Sequence, residues 1–144
     1  METKTTEELN HEIKEATDIE DYLHKNRENM LTLSLSRYLE DLLVQKGLSR
    51  AQVVRDSSLD KGYVYQIFSG EKTPSRDKLL ALAFGLRLSG DETQRMLKIS
   101  CNRELYARDR RDALIRFALE QRKTILDVNE SLYDHGYAAL GTPL

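Results

Sequence analysis

Residues 48–70 read LSRAQVVRDSSLDKGYVYQIFSG. Apolar side chains fall at Val53 and Val54, then at Leu59, Val64, Ile67 and Phe68. This spacing gives each of two short helices one apolar face and leaves a tight turn between them. Ser49 caps the first helix, over about 49–57, and Asp60 caps the second, over about 61–68. Both side chains accept from the free N–H groups of a first helical turn. Gly70 stops the second helix.

The same periodicity extends in both directions. Residues 34–46 (SLSRYLEDLLVQK) form an amphipathic helix whose stripe is Leu35, Tyr38, Leu39, Leu42 and Leu43, ended by Gly47. Beyond the opening motif, Pro74-Ser75 starts another helix, with Ser75 as N-cap, Lys78 at the third helical position and LLALAFGL following. Glycine inside a helix costs about 1 kcal/mol against alanine, so this helix is expected to end near Gly85. Ser89 or Asp91 caps the next, which carries Thr93, Met96, Leu97 and Ile99. Asp109–Glu120 shows Ala113, Leu114, Phe117 and Ala118. Thr124 then caps Ile125–His135, with Ile125, Val128, Leu132 and Tyr133 inside and Gly136 as terminator. These last two helices are joined closely enough to form an antiparallel hairpin, and residues 137–144 form a short tail. At the front, Leu9, Ile13, Ala16, Ile19, Tyr22 and Leu23 place two helices over about 5–16 and 18–26, as a brace on the main domain or as a partner surface. No segment alternates for long enough to suggest a strand. The fold class is all-α. Its divisions are an acidic helical arm at 1–30, a central domain at 31–100 and a C-terminal helical hairpin at 101–144, packed on that domain.

Composition sets outer bounds. The chain has 144 residues, 40% hydrophobic and 32% charged, which suits one compact domain with a small appendage. No apolar run is long enough to span a bilayer, and METKTTEELN lacks an apolar signal region, so a cytoplasmic location is expected. The single cysteine, Cys101, excludes an internal disulfide and is expected to pack near a helix end. Net charge is −2, unevenly spread. Residues 1–30 hold nine acidic and four basic side chains, whereas residues 31–144 hold 15 acidic and 18 basic. The acidity belongs to the arm, and the remainder is mildly basic.

Catalytic and metal-binding patterns are missing. His11, His24 and His135 are scattered, without the spacing of a zinc site. SGEKTPS at 69–75 lacks the upstream glycine of a phosphate loop and does not follow a strand. Arg108, Arg110 and Arg111 alternate with Asp109 and Asp112, as a solvated or internally paired face does. Neither enzymatic activity nor a cofactor or metal is expected.

The layout of 48–70 is that of a helix-turn-helix, whose second helix enters the DNA major groove. Residues 34–88 resemble the DNA-binding domain of the phage-repressor (XRE-type) helix-turn-helix family. The resemblance is carried by G-L-S at 47–49, Val53-Val54, the turn through Ser58-Leu59, DKGYVYQIFSG at 60–70 and TPSRDKLLALAFGL at 73–86. It implies a compact lambda-repressor-like domain with extra N- and C-terminal helices. Three positions depart from the family pattern. Ser58 replaces the usual turn glycine, and Val54 the turn alanine. Leu43 and Phe68 stand where many members pair an arginine with a glutamate. An apolar pair replaces a buried ion pair without loss of stability.

The resemblance also assigns roles. Positions at the start of the recognition helix, and one turn later, face bases: here Lys61, Gly62, Tyr63 and Gln66. Lys61 suits guanine O6 or N7, and Gln66 suits the adenine N6/N7 pair. Gly62 lets the backbone approach closely, and Tyr63 offers a ring and a hydroxyl. Phosphate contacts fall to Arg50, Lys72, Thr73 and Arg76. Asp60 is spent as a cap, and Glu71 runs against the trend. The implied function is a sequence-specific transcriptional regulator that binds double-stranded DNA as a homodimer, with a possible protein partner on the N-terminal arm. The alternative is a protein-interaction or antitoxin-like accessory module on the same scaffold.

Overall fold

The computed structural model describes residues 4–141, the side chains of 31–33 apart. The first three residues of the arm and the last three of the tail lie outside the described residues. The described chain is helical throughout, with no strand. The arm holds α1 (Thr6–Glu15) and α2 (Ile19–Lys25), then a single 3-10 turn at Arg27–Asn29. The central helices are α3 (Leu31–Lys46), α4 (Arg50–Ser57), α5 (Lys61–Ser69), α6 (Arg76–Gly85) and α7 (Gly90–Ile99). The hairpin is α8 (Arg110–Glu120) and α9 (Ile125–Asp134).

Short polar side chains set the helix starts. Ser49, Asp60, Ser75, Ser89, Asp109 and Thr124 each accept a backbone N–H of the first turn that follows. Each such cap contributes about 1 kcal/mol. Gly47 and Gly70 close α3 and α5 in the left-handed conformation. Ser58 adopts that conformation too, at φ 62°, so the turn keeps the geometry that glycine would supply. For an L-residue this costs roughly 1–2 kcal/mol. The adjacent Ser57 hydroxyl accepts the Leu59 N–H at 3.2 Å and steadies the turn.

α6 is the axis of the core, buried without interruption from Leu79 to Gly85. A helix apolar on every side must be surrounded, and α4, α7 and α9 surround this one. Gly85 has a purpose that helix propensity does not show. A Cβ there would lie 2.7 Å from the Val53 carbonyl oxygen and 2.8 Å from Ser57 Cβ. The glycine lets α6 approach the backbone of α4. Gly85→Ala is therefore expected to lower stability by about 1–3 kcal/mol through overpacking, despite alanine's better propensity. Urea unfolding checks this, and a more stable variant would contradict the contact.

α3 packs on α5 and α7. The Ser36 hydroxyl donates to the Phe68 carbonyl, and the Tyr38 hydroxyl to the Glu92 carbonyl at 3.0 Å. Leu43 and Phe68 both lie in the core. The hairpin adds Ile115, Leu119, Ile125, Val128 and Leu132 to that same core. The described part of the tail is held as well. Leu140 is buried, and its backbone N–H and carbonyl both bond the Asn129 side chain, at 2.7 and 3.1 Å.

Some expected core positions are exposed. Ile13, Ile19 and Leu23 of the arm stand open, as do Phe117 and Tyr133 of the hairpin. Periodicity finds a stripe, but nothing covers these parts of it. Cys101 follows α7 at φ 60° and is exposed, not packed. In the arm, α1 buries nothing and α2 buries Tyr22. The arm closes instead on buried Asn26, which donates to Glu12 Oε2 at 2.7 Å and accepts from Lys4 Nζ at 2.7 Å. Glu28 pairs with Arg37 of α3. None of the core cluster comes from residues 4–30. No helix among the described residues is long and apolar enough to cross a membrane.

Candidate nucleic-acid interface

Val64, Ile67 and Phe68 anchor α5 in the core, each worth about 1.5–3 kcal/mol of burial. Helical spacing then turns the remaining positions outward. Lys61 and Gly62 are exposed, and Gln66 is half-buried. Asp60 accepts the Tyr63 N–H at 3.2 Å, so its carboxylate is engaged in capping. The same carboxylate lies 3.3 Å from where a Cβ on Gly62 would sit.

The aromatic residues of α5 hold cations. Lys61 Nζ lies 5.8 Å from the centre of the Tyr65 ring, and Lys78 Nζ lies 5.6 Å from that of Tyr63. Tyr63 is half-buried and packs against the core. Burial raises its phenol above the usual range, against a hydrogen bond from the Ser75 backbone. Tyr63 thus bridges α5 and the start of α6. Lys78 is a neighbour that sequence reading identified only as a position after a cap. Its place over Tyr63 depends on the turn between α5 and α6, which no local spacing reports.

Arg50 opens α4, where free backbone N–H groups point outward. Its guanidinium lies 5.3 Å from the centre of the Phe68 ring and pairs with Glu40 of α3. Together with Tyr65, Gln66, Phe68, Ser69 and Glu71 it lines a shallow groove beside α5. After Gly70 the chain folds back, and the Glu71 and Lys72 N–H groups donate to the Gln66 carbonyl at 2.9 and 3.2 Å. Lys72 and Thr73 are exposed on this loop, and so is Glu71.

Arg76, expected at a phosphate, has its guanidinium engaged inside the protein. It makes a two-point contact with Asp112 of α8, at 3.1 and 2.9 Å, and donates to the carbonyls of Arg103 and Glu104 at 2.7 and 3.2 Å. The Asp112 side chain is 2% exposed. It also accepts the Tyr106 N–H at 3.0 Å. Nearby, Arg111 makes a second two-point contact, with Asp77, at 2.9 and 3.0 Å. These pairs clamp the N-terminus of α6 to α8. Much of the mixed charge at 108–112 is thereby paired internally. No cluster of three or more His, Cys, Asp or Glu among the described residues is placed to hold a metal.

Lys61 and Gly62 are thus exposed and Gln66 half-buried on α5, Arg50 shares a groove with Gln66 and Glu71, and Lys72 and Thr73 are exposed on the loop that follows. Tyr63 is half withdrawn, and Arg76 is committed elsewhere. Residues 34–96, under half of the chain, match a family model described as a helix-turn-helix domain. No curated protein and no solved structure matches the chain. The matched residues run from α3 into α7 and carry α4, the turn and α5 in order, so residues 34–96 are similar to a helix-turn-helix domain.

Proposed function

We propose that this chain is a transcriptional regulator that reads DNA sequence with α5. The observation that carries this reading is the pairing of a buried apolar face on α5 with an open face holding Lys61 and Gln66. Lys61 would donate to a guanine edge and Gln66 would make the two-point adenine contact. Gly62 would bring the helix start near the DNA, with Tyr63 contributing at most the edge of its ring. Arg50, Lys72 and Thr73 would hold phosphates. Arg76 supports the reading only indirectly, by fixing the start of α6 behind the loop that carries Lys72 and Thr73. One α5 spans too few base pairs for useful selectivity, so two copies on paired half-sites are the expected form. We place the protein in the cytoplasm with the DNA that it reads, acting without a cofactor and without catalysis.

Selecting bound sequences from a random duplex library tests this. The expected result is an enriched motif with two related halves. A folded protein that enriches no motif would contradict sequence reading.

Charge adds a second test. Glu40 holds Arg50, so phosphate must compete for that guanidinium. Glu40→Gln is expected to tighten binding to any duplex several-fold and to steepen its salt dependence by about one unit of slope. Unchanged binding in an anisotropy titration would remove Arg50 from the phosphate contacts.

A further inference from the structure

A second groove lies at the other ends of α4 and α6. Its apolar floor is Phe84, Leu88, Leu119 and Ile125, all buried, and Leu126 stands at its edge 73% exposed. Four cations line it: Arg55, Arg87, Arg122 and Lys123. The one carboxylate in the lining, Asp56, pairs with Arg55 at 3.0 Å and Arg87 at 3.4 Å. Arg122 donates to the Arg87 carbonyl at 3.2 Å, and Lys123 is exposed with no ion pair among the described residues. The C-terminal ends of α4, α6 and α8 meet here, and their dipoles favour nearby cations. That accounts for cations at the groove but leaves Leu126 exposed at its edge.

The arm has the complementary surface. Among residues 4–30, eight side chains are acidic and four basic. Ile13, Ile19 and Leu23 are 50%, 59% and 39% exposed along its two helices. Glu15 and Glu20, near them in sequence, have no ion pair among the described residues and are exposed. Within its own chain the arm is held elsewhere, by the Lys4–Asn26–Glu12 cluster and by Glu28 on Arg37 of α3. A second apolar patch, at Leu105, Ala107, Ala113 and Phe117, has Arg116 as the cation in its lining, already paired with Asp91 and Glu120. Charge therefore selects the basic groove.

We infer that the acidic arm of one copy docks in the basic-rimmed groove of a second copy, and that the exchange is reciprocal. A two-fold axis uses the contact twice, doubling the area buried. The groove sits at the C-terminal ends of α4 and α6, opposite Arg50 and Ser75, which begin them, and Ser58 of the turn before α5 lines its edge. The inference deepens the two-copy form proposed above and rests on it, though not on which residues read bases.

Light scattering and sedimentation of the full chain test it, using exposed side chains. The wild type is expected to run as a dimer that salt weakens. Glu15→Lys with Glu20→Lys in the arm should raise the dimer dissociation constant about tenfold or more, and Arg122→Glu with Lys123→Glu in the groove should do the same. Circular dichroism confirms that each variant is folded. Combining both sets in one chain should restore the dimer, which a merely misfolded variant would not do. A wild type that stays monomeric, a dimer indifferent to both sets, or one sensitive to the groove set alone would each overturn the arm as occupant. Duplex binding measured in parallel separates the two claims. A dimer built on another surface leaves the DNA reading standing, and a dimer of the inferred kind that binds no duplex removes that reading alone.

Discussion

Asp112→Ala is expected to destabilise the protein by about 3 kcal/mol, the largest loss anticipated for any single polar side chain here. Its carboxylate is 2% exposed and takes two hydrogen bonds from Arg76 and one from the Tyr106 backbone. Removing it strands a guanidinium whose side chain is only 18% exposed. Breaking one side of such a pair costs about 3–5 kcal/mol, because the remaining charge loses its partner without regaining water. The lower end applies, since Arg76 keeps two backbone carbonyls. A domain of this size has about 5–15 kcal/mol in all, so the midpoint of urea unfolding should fall well below that of the parent at an unchanged slope. A loss under about 0.5 kcal/mol, the size expected of an ordinary surface change, would show that the clamp between α6 and α8 is ornamental.

On DNA, the larger expected effect comes from Lys61→Ala and Gln66→Ala. Each should reduce discrimination between a selected duplex and a scrambled one by about 1–3 kcal/mol, roughly fivefold to 150-fold. Affinity for the scrambled duplex should change little on Gln66→Ala, since an uncharged side chain gives nothing to the phosphate term. Arg50→Ala should show the opposite pattern, weakening both duplexes alike. Competition binding with the two duplexes checks both. Discrimination that survives the double variant would move base reading away from α5.

The helices were legible because their ends are written locally. Serine, aspartate or threonine stands before each start from α4 onward; Ser49, Asp60, Ser75, Ser89 and Thr124 cap as expected, and Asp109, read as the first residue of its helix, is a cap as well. Leu43 and Phe68, which the family resemblance places where many members carry an ion pair, both lie in the core. What stayed hidden depends on contacts distant in sequence. Arg76 looks like a phosphate ligand beside Lys72 and Thr73, yet its partner is 36 residues away. Gly85 looks like a weak point in a helix until Val53 and Ser57 lie against it. Phe117 and Tyr133 share a period with buried neighbours, but only packed helices decide which flank of a stripe is covered. The open face of α5 falls between these cases. Spacing places Lys61 and Gln66 outward, whereas the withdrawal of Tyr63 beneath Lys78 needs the α5–α6 turn in three dimensions.

The central claim, that this surface binds duplex DNA, is tested most directly by titrating the folded full-length protein against a duplex while salt is raised. Arg50 and Lys72 supply the charged phosphate contacts, so log K should fall linearly with log salt at a modest slope of about −2 per bound copy. No detectable binding at the lowest salt, with the helical signal intact, would contradict the account.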